Sequence, residues 1–143
     1  MNKLWRFGHR LFLRGGYWRR LSRAVEVLNH LICANSVSIA ADIDDSTIFY
    51  HRGLGCVVHP KTIIGKNCRI FQGVTCGSKW SSGVCMGEAP QIGNNVMIGA
   101  GAVILGALTV GDNAIIGANA VVICDIPANT IALGVPARIM ERK

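Results

Sequence analysis

The feature that most constrains this chain is an aliphatic residue that recurs at every sixth position. The longest uninterrupted run is Ile92, Ile98, Ile104, Val110, Ile116 and Val122. A helical stripe repeats every 3.6 residues and a strand alternates every two, so neither element alone explains this period. Short strands joined by tight corners do explain it, with three hexads forming one triangular turn. The spacing therefore predicts a parallel β-helix.

The same spacing continues upstream in two shorter runs of different phase. These runs are Val37, Ile43 and Phe49, followed by Val58, Ile64, Ile70 and Cys76. Between Cys76 and Ile92 lies a polar, glycine-rich stretch that we predict to project as a loop over residues 77–91. Between Phe49 and Val58 the count slips, which suggests an extra residue at a corner. Insertions in a solenoid often carry its function, so both breaks are candidate sites.

The residues before the repeat form a separate, basic segment. The net charge of the chain is +7, and residues 1–30 carry seven Lys or Arg against Glu26 alone. Helices are predicted over 3–14 and 17–32, broken at Gly15-Gly16. Their apolar faces are predicted to be Leu4, Phe7 and Leu11 in the first, and Leu21, Val25, Leu28 and Ile32 in the second. We therefore expect a helical segment over 1–34 and a β-helix domain over 35–143.

Two interpretations of the basic segment stay open. Its apolar faces pack on the β-helix as a cap, or residues 1–32 form a surface for an anionic membrane or an acidic partner. Because the charge is confined to one segment, we expect no nucleic-acid partner. No apolar run approaches the roughly 20 residues of a membrane span, and arginines interrupt the N-terminus, so no signal peptide is expected either.

Six cysteines, at 33, 56, 68, 76, 85 and 124, show no CxxC spacing. We expect reduced thiols in a cytoplasmic protein, several of them buried as small apolar residues.

The hexapeptide rows, "MIGAGAVILG" and the terminal "GVPARIM" resemble the hexapeptide-repeat acyltransferases, from about residue 35 to the end. The resemblance implies an all-β fold, a left-handed parallel β-helix with a short N-terminal α-helical segment. The handedness comes from the family and not from the spacing. It also implies a homotrimer that binds acetyl-CoA in the groove between subunits. The segments "AADIDDSTIFYH", "GVTCGS" and "APQIGNNVMIGAGAVILG" match the serine acetyltransferase branch and the related O-acetyltransferases of polysaccharide synthesis.

Three departures bear on the acceptor. Serine acetyltransferases carry Asp where this chain has Ser36 and Tyr50, and a second active-site His where it has Ala89. These losses, with the short helical segment, favour a sugar hydroxyl as the acetyl acceptor, in capsule or exopolysaccharide biosynthesis. The sugar would belong to a small molecule or to a lipid-linked precursor. Residues 1–32 would then contact the inner membrane face or a glycosyltransferase.

The resemblance places His51 at the catalytic position, beside the slip in the repeat. Acetyl transfer from a thioester needs a base for the acceptor hydroxyl, and an imidazole, with an ordinary pKa near 6.5, suits that task. An acyl-Cys56 route is the alternative, but nothing nearby marks a lowered thiol pKa. Since the repeat region contains only His51 and His59, a three-histidine metal site is disfavoured and no metal is expected.

The remaining candidate residues follow from the groove that the family implies. The cofactor-binding candidates are Gly77, Ser78, Ala100 and Ala118 along the groove wall, and Arg138 near the phosphates. The substrate-binding candidates are Tyr50, His59 and Trp80, the last as a stacking platform. Each has a structural alternative, as corner packing or as an exposed side chain.

The main prediction is thus an acetyl-CoA-dependent O-acetyltransferase acting on a sugar. Serine O-acetyltransferase of cysteine biosynthesis is the rival reading, and a non-catalytic β-helix scaffold subunit is the rival of another class.

Overall fold

The computed structural model describes residues 3–81, 84–85 and 87–142, with the backbone alone at 80, 81, 84 and 85. Two helices, α1 (Lys3–Arg14) and α2 (Gly16–Cys33), precede the strands. The predicted helix pair is confirmed to within one residue at each end. Neither helix in this described part of the chain is long and apolar enough to cross a membrane.

The described strands after the helices wind into a three-sided prism, apart from one separate two-stranded hairpin. Their bounds are β1 Ser36–Val37, β2 Asp42–Ile43, β3 Ile48–Phe49, β4 Val57–Val58, β5 Ile63–Ile64, β6 Arg69–Ile70, β7 Thr75–Gly77, β8 Trp80–Ser81, β9 Val84–Cys85, β10 Gln91–Ile92, β11 Met97–Ile98, β12 Val103–Leu105, β13 Thr109–Val110, β14 Ile115–Ile116, β15 Val121–Val122, β16 Thr130–Leu133 and β17 Arg138–Glu141. Face A contains β1-β4-β7-β12-β15, face B β2-β5-β10-β13, and face C β3-β6-β11-β14-β16-β17. The pairs within these faces are parallel, except that β16 and β17 are antiparallel.

The six-residue rows form the core of the prism, as predicted. Ile98 pairs with Ile116, one coil further along the chain, and both side chains are fully buried. The strand residues that precede the buried positions point outward, and two of them, Val57 and Ile63, are exposed. Each coil therefore buries its aliphatic row against the next coil, at about 25 cal/mol per Å² of apolar area.

The chain turns between faces at stacked corners. The C–A corner, between faces C and A, comprises residues 50–56, 71–74, 99–102 and 117–120. The A–B corner comprises 38–41, 59–62, 106–108, 123–125 and the described parts of the insertion between β7 and β10. The C–A corners share one stacked position with left-handed backbone, occupied by Gly55, Gly73, Gly101 and Asn119, with φ of 67°, 72°, 69° and 57°. The first of these corners has three further residues with positive φ. Glycine and asparagine are the residues that adopt this conformation at least cost.

Both breaks in the repeat are insertions at corners. Phe49 and Val58 are nine positions apart, whereas their strand partners Ile70 and Cys76 are six apart. The first insertion thus has three residues instead of the single extra residue expected. The second, predicted as a loop over 77–91, contains an antiparallel hairpin in which β8 pairs with β9.

The helices cover the open end of the first coil. Trp5 Nε1 donates to the Val37 carbonyl at 3.2 Å, and His9 Nδ1 lies 2.7 Å from the Ile39 carbonyl. The Ile39 amide donates to Glu26 Oε1 at 3.1 Å. These contacts satisfy backbone groups that would otherwise form an unpaired sheet edge.

The buried helix faces differ from the predicted ones. In α2 the structure buries Ser22, Val25, Asn29 and Cys33, while three of the four predicted residues, Leu21, Leu28 and Ile32, are 40%, 47% and 58% exposed. In α1 it buries Trp5, Gly8 and Leu11, and Phe7 is exposed. The more polar face of α2 is buried because its polar atoms find partners: Ser22 Oγ donates to the Arg19 carbonyl, and Asn29 donates to Asn35.

Candidate active site

His51 lies in the three-residue insertion at the C–A corner, which forms a left-handed turn. The φ angles of His51, Arg52 and Gly53 are 51°, 59° and 72°, and the Leu54 amide donates back to the His51 carbonyl at 3.1 Å. Left-handed backbone at the two non-glycine positions costs on the order of 1–3 kcal/mol each, and such residues cluster at functional sites. The turn leaves the His51 side chain exposed at the corner of the prism.

Two contacts hold this turn from opposite ends. The Tyr50 ring stacks on the Phe71 ring, with centroids 4.6 Å apart and planes at 13°. On the far side, Asn35 Nδ2 donates to the Arg52 carbonyl at 3.1 Å. Tyr50 is therefore committed to packing through one ring face, and its role as a substrate contact stays a prediction.

Two of the predicted cofactor residues share the corner of His51. Backbone hydrogen bonds stack the successive coils there, from Gly73 N to the Leu54 carbonyl, from Gly101 N to that of Gln72, and from Asn119 N to that of Ala100. Ala100 is half-buried, and Ala118, in the last of these coils, is exposed. With strands about 4.8 Å apart, Ala118 lies roughly 14 Å along the corner from the His51 turn.

The other predicted residues lie elsewhere. Gly77, Ser78 and His59 are at or beside the A–B corner, across face A from His51, and His59 Nδ1 accepts from the Lys61 amide at 3.2 Å. Arg138 is exposed on β17 of face C. The side chain of Trp80 lies outside the described residues. A single chain therefore does not bring the whole predicted set together.

Among the described residues, three buried side-chain atoms at the corners that bound face A lack a hydrogen-bond partner, and one of them is Thr62 Oγ1. Gln72 Oε1, one coil along from His51, and Ser78 Oγ have no hydrogen-bond partner among the residues that the structure describes. An unpaired buried polar atom costs roughly 1–3 kcal/mol, so a ligand with polar groups would relieve both. Ser78 was predicted, whereas Gln72 was missed, although it directly precedes "GVTCGS".

A cavity of about 290 Å³ opens beside the A–B corner. Its lining includes Lys61, Glu88, Ala89, Gln91 and Thr109. The cavity thus carries one cationic and one anionic side chain around the position where Ala89 stands.

Cys56 is unsuited to an acyl-enzyme route. It is fully buried, and its thiol donates to the Phe71 carbonyl at 3.2 Å. Burial raises the pKa of Cys56, and it raises the pKa of Cys76 to about 12, so these thiols stay protonated. Cys33, Cys56, Cys68, Cys76 and Cys124 form no disulfide, and the described residues contain no cluster of three or more metal-ligating side chains.

Comparison with known proteins finds a hexapeptide-repeat model and several serine acetyltransferases that are similar to this chain. The family model "Bacterial transferase hexapeptide (six repeats)" matches residues 89–124. A serine acetyltransferase of Helicobacter pylori is 37% identical over 139 residues, which cover 96% of this chain and 78% of that protein. A serine acetyltransferase of Synechococcus elongatus is 41% identical over 96 residues, 66% of this chain.

A solved serine acetyltransferase in complex with CoA is 34% identical and superposes with a TM-score of 0.83, covering 96% of this chain. The predicted left-handed parallel β-helix with a short N-terminal helical segment is thereby confirmed. The chain spans 54% of that solved chain and 38% of the Synechococcus relative.

These comparisons overturn the predicted acceptor branch. The polysaccharide reading, with its sugar acceptor and glycosyltransferase partner, is wrong, and the findings support the serine acetyltransferase rival. The reading gave too much weight to three single positions, Ser36, Tyr50 and Ala89. Similarity over 139 residues carries more weight than three side chains, and the chain belongs to the serine acetyltransferase family.

Proposed function

We propose that this protein transfers the acetyl group of acetyl-CoA to the side-chain hydroxyl of L-serine. Membership of the serine acetyltransferase family supports the reaction, and the CoA complex of a solved relative supports the donor. The single observation that carries the proposal is the left-handed turn that presents His51 at the corner of the prism.

His51 is the general base of this proposal. Its imidazole removes the proton from the serine hydroxyl as the hydroxyl oxygen attacks the thioester carbon. The tetrahedral intermediate collapses by breaking the carbon–sulfur bond. The imidazolium returns its proton to the departing CoA thiolate, which leaves O-acetylserine, CoA and the neutral base.

Acetyl-CoA lies in a groove between two copies of the chain. The corner of His51, Ala100 and Ala118 on one copy faces the A–B corner of the next, with Gly77 and Ser78. Small side chains leave room for the pantetheine arm. Ser78 Oγ and Gln72 Oε1, which have no partner among the described residues, suit its amide groups. Arg138 is our candidate for the phosphates. Because the site is incomplete in one copy, this arrangement requires an oligomer, and the family implies a homotrimer.

The cavity beside Ala89 is our candidate acceptor pocket. A free amino acid carries an ammonium and a carboxylate, and Glu88 and Lys61 supply the opposite charges. Glu88 thus supplies a carboxylate in place of the acidic residues missing at Ser36 and Tyr50.

The test is thiol release from acetyl-CoA in the presence of L-serine, for wild type and His51→Ala. Loss of a general base lowers kcat by roughly 10²–10⁴-fold. His30→Ala, on α2, is the matched control and retains activity. CoA binding without serine-dependent release would reject serine as the acceptor. Neither binding nor release would favour the non-catalytic scaffold.

We further propose that α2 contacts an anionic membrane surface. Tyr17, Leu21, Leu28, Leu31 and Ile32 form an exposed apolar row, which we call the α2 apolar row, and Arg19, Arg20 and Arg23 lie beside it. A helix with such faces lies flat in a lipid interface, where each arginine gains about 1 kcal/mol near anionic headgroups. A second copy on this row would instead bring like charges together.

A further inference from the structure

The His51 turn is linked to helix α2 by two buried asparagines. Asn29, in the last part of α2, donates from Nδ2 to Asn35 Oδ1 at 3.2 Å. Asn35 in turn donates from Nδ2 to the carbonyl of Arg52 at 3.1 Å. Asn29 is 1% exposed and Asn35 is 9% exposed, so water competes little for either bond.

The chemistry of the two amides sets the direction of this link. The Arg52 carbonyl is only an acceptor, so the amide nitrogen of Asn35 has to face it. The oxygen of Asn35 then faces Asn29, which has to present its own nitrogen. Both polar atoms of the Asn35 side chain are therefore committed between the helix and the turn.

The backbone on either side of the turn is held by hydrogen bonds, and Gly53 leaves space for the Asn35 side chain. Residues on both sides are paired, with Gly55 N donating to the Ala34 carbonyl and Ser36 N to the Cys56 carbonyl, each at 2.8 Å. A Cβ atom at Gly53 would lie 3.4 Å from Asn35 Nδ2 and 3.2 Å from the Phe49 ring. Glycine at 53 therefore lets the amide of Asn35 approach the turn.

We propose that Asn35 is a positioning residue for His51, and that Asn29 acts through Asn35. The bond to the Arg52 carbonyl holds the peptide between Arg52 and Gly53, one residue beyond His51, and thereby fixes the turn that sets the direction of the imidazole. The left-handed backbone at His51 and Arg52 is not one that these residues favour, so a specific contact is needed to keep it. This inference rests on the proposed role of His51 as base.

The experiment combines Asn35→Leu, Asn29→Leu and the double variant in the full chain. Asn35→Leu keeps the side-chain size but cannot donate, and a misplaced base lowers kcat by about 10–100-fold. The KM for acetyl-CoA is expected to stay within about twofold, because the variants leave the proposed cofactor residues in place. Asn29→Leu lowers kcat less, because the Asn35 donor remains.

The double variant separates positioning from stability. Asn35→Leu takes away the acceptor that Asn29 Nδ2 has in this link, whereas the double variant places apolar groups at both positions, which can be nearly neutral for stability. We therefore expect the thermal midpoint of the double variant to recover toward wild type while kcat stays as low as in Asn35→Leu. Recovery of kcat together with the midpoint would reduce the pair to a structural role and overturn the proposal.

A measurement without turnover keeps this test separate from that of the proposed function. NMR signals of the His51 ring, assigned with His51→Gln, are expected to shift or broaden in Asn35→Leu. They are expected to be unchanged in Ser22→Ala, which removes a buried hydroxyl from the same helix face without touching the turn. Unchanged His51 signals in Asn35→Leu would refute the positioning role even if L-serine proved not to be the acceptor. If Asn35→Leu does not fold, Asn29→Leu decides by the same signals.

Discussion

The ring of Tyr50 lies flat against the ring of Phe71, with centroids 4.6 Å apart, one residue before His51. Phe71 belongs to the next coil at the same corner, so the stack ties the start of the His51 turn to its neighbour. An offset aromatic stack contributes about 0.5–1.5 kcal/mol beyond its buried area.

Replacement of Tyr50 separates this packing from contact with substrate. Tyr50→Leu removes the stack, and we expect kcat to fall about 10-fold because the turn loses one of its two supports. Tyr50→Phe retains the stack and is expected to keep wild-type kcat and KM. Steady-state kinetics with L-serine decide the matter: a raised KM in Tyr50→Phe would show that the hydroxyl contacts the acceptor.

The left-handed backbone at Arg52 makes a stability prediction. A β-branched residue tolerates a φ of 59° poorly, so Arg52→Val is expected to lower the free energy of unfolding by about 1–2 kcal/mol. Arg52→Asn is expected to be at least as stable as wild type, because asparagine adopts this conformation readily. Arg69→Val, an exposed arginine in strand β6, is the control and should change stability by less than about 0.5 kcal/mol. Equal effects at both arginines in urea unfolding would argue against backbone strain at position 52.

The buried thiol of Cys76 predicts alkaline destabilisation. Its pKa is raised to about 12 by burial, from an ordinary value near 9, so the folded state keeps its proton while the unfolded state loses it. The stabilisation is complete below pH 9 and is lost as pH rises toward 12, by about 1.4 kcal/mol per pH unit. Cys76→Val, which suits the strand, should give a shallower decline between pH 8 and 10.5 in unfolding experiments under reductant. Parallel curves for the two proteins would contradict this account.

The α2 apolar row predicts binding to anionic vesicles. We expect the protein to co-sediment with phosphatidylglycerol vesicles, and we expect this binding to weaken as the salt concentration rises. Binding to vesicles of phosphatidylcholine alone should be at least 10-fold weaker. Leu28→Ser combined with Leu31→Ser should abolish binding, while Ile123→Ser, at an exposed site on the β-helix, should not. Binding that does not depend on salt would rule out the proposed attraction between the arginines and the anionic headgroups. If the protein instead self-associates and the double variant abolishes this, the α2 apolar row binds a second copy of the chain.

The six-residue rows could be predicted from the sequence because their period is local and repeats in every coil. The helix bounds were predicted for a similar reason, since Gly15-Gly16 interrupts an otherwise continuous helical pattern. His51 was singled out by the slip in the repeat and by the family resemblance. The slip did not show a left-handed turn, because φ depends on the contacts that hold it.

What only the tertiary structure decided depends on partners far apart in sequence. Hydropathy favoured Leu21, Leu28 and Ile32 as the buried face of α2, but the structure buries Asn29. It does so because Asn35 accepts a hydrogen bond from the Asn29 amide and donates one to the Arg52 carbonyl. The sequence by itself determined the β-helix through repetition. The direction of His51, and the separation of Ala100 and Ala118 from Gly77 and Ser78 across face A, were decided by how the coils stack, since each coil brings together residues from distant parts of the chain.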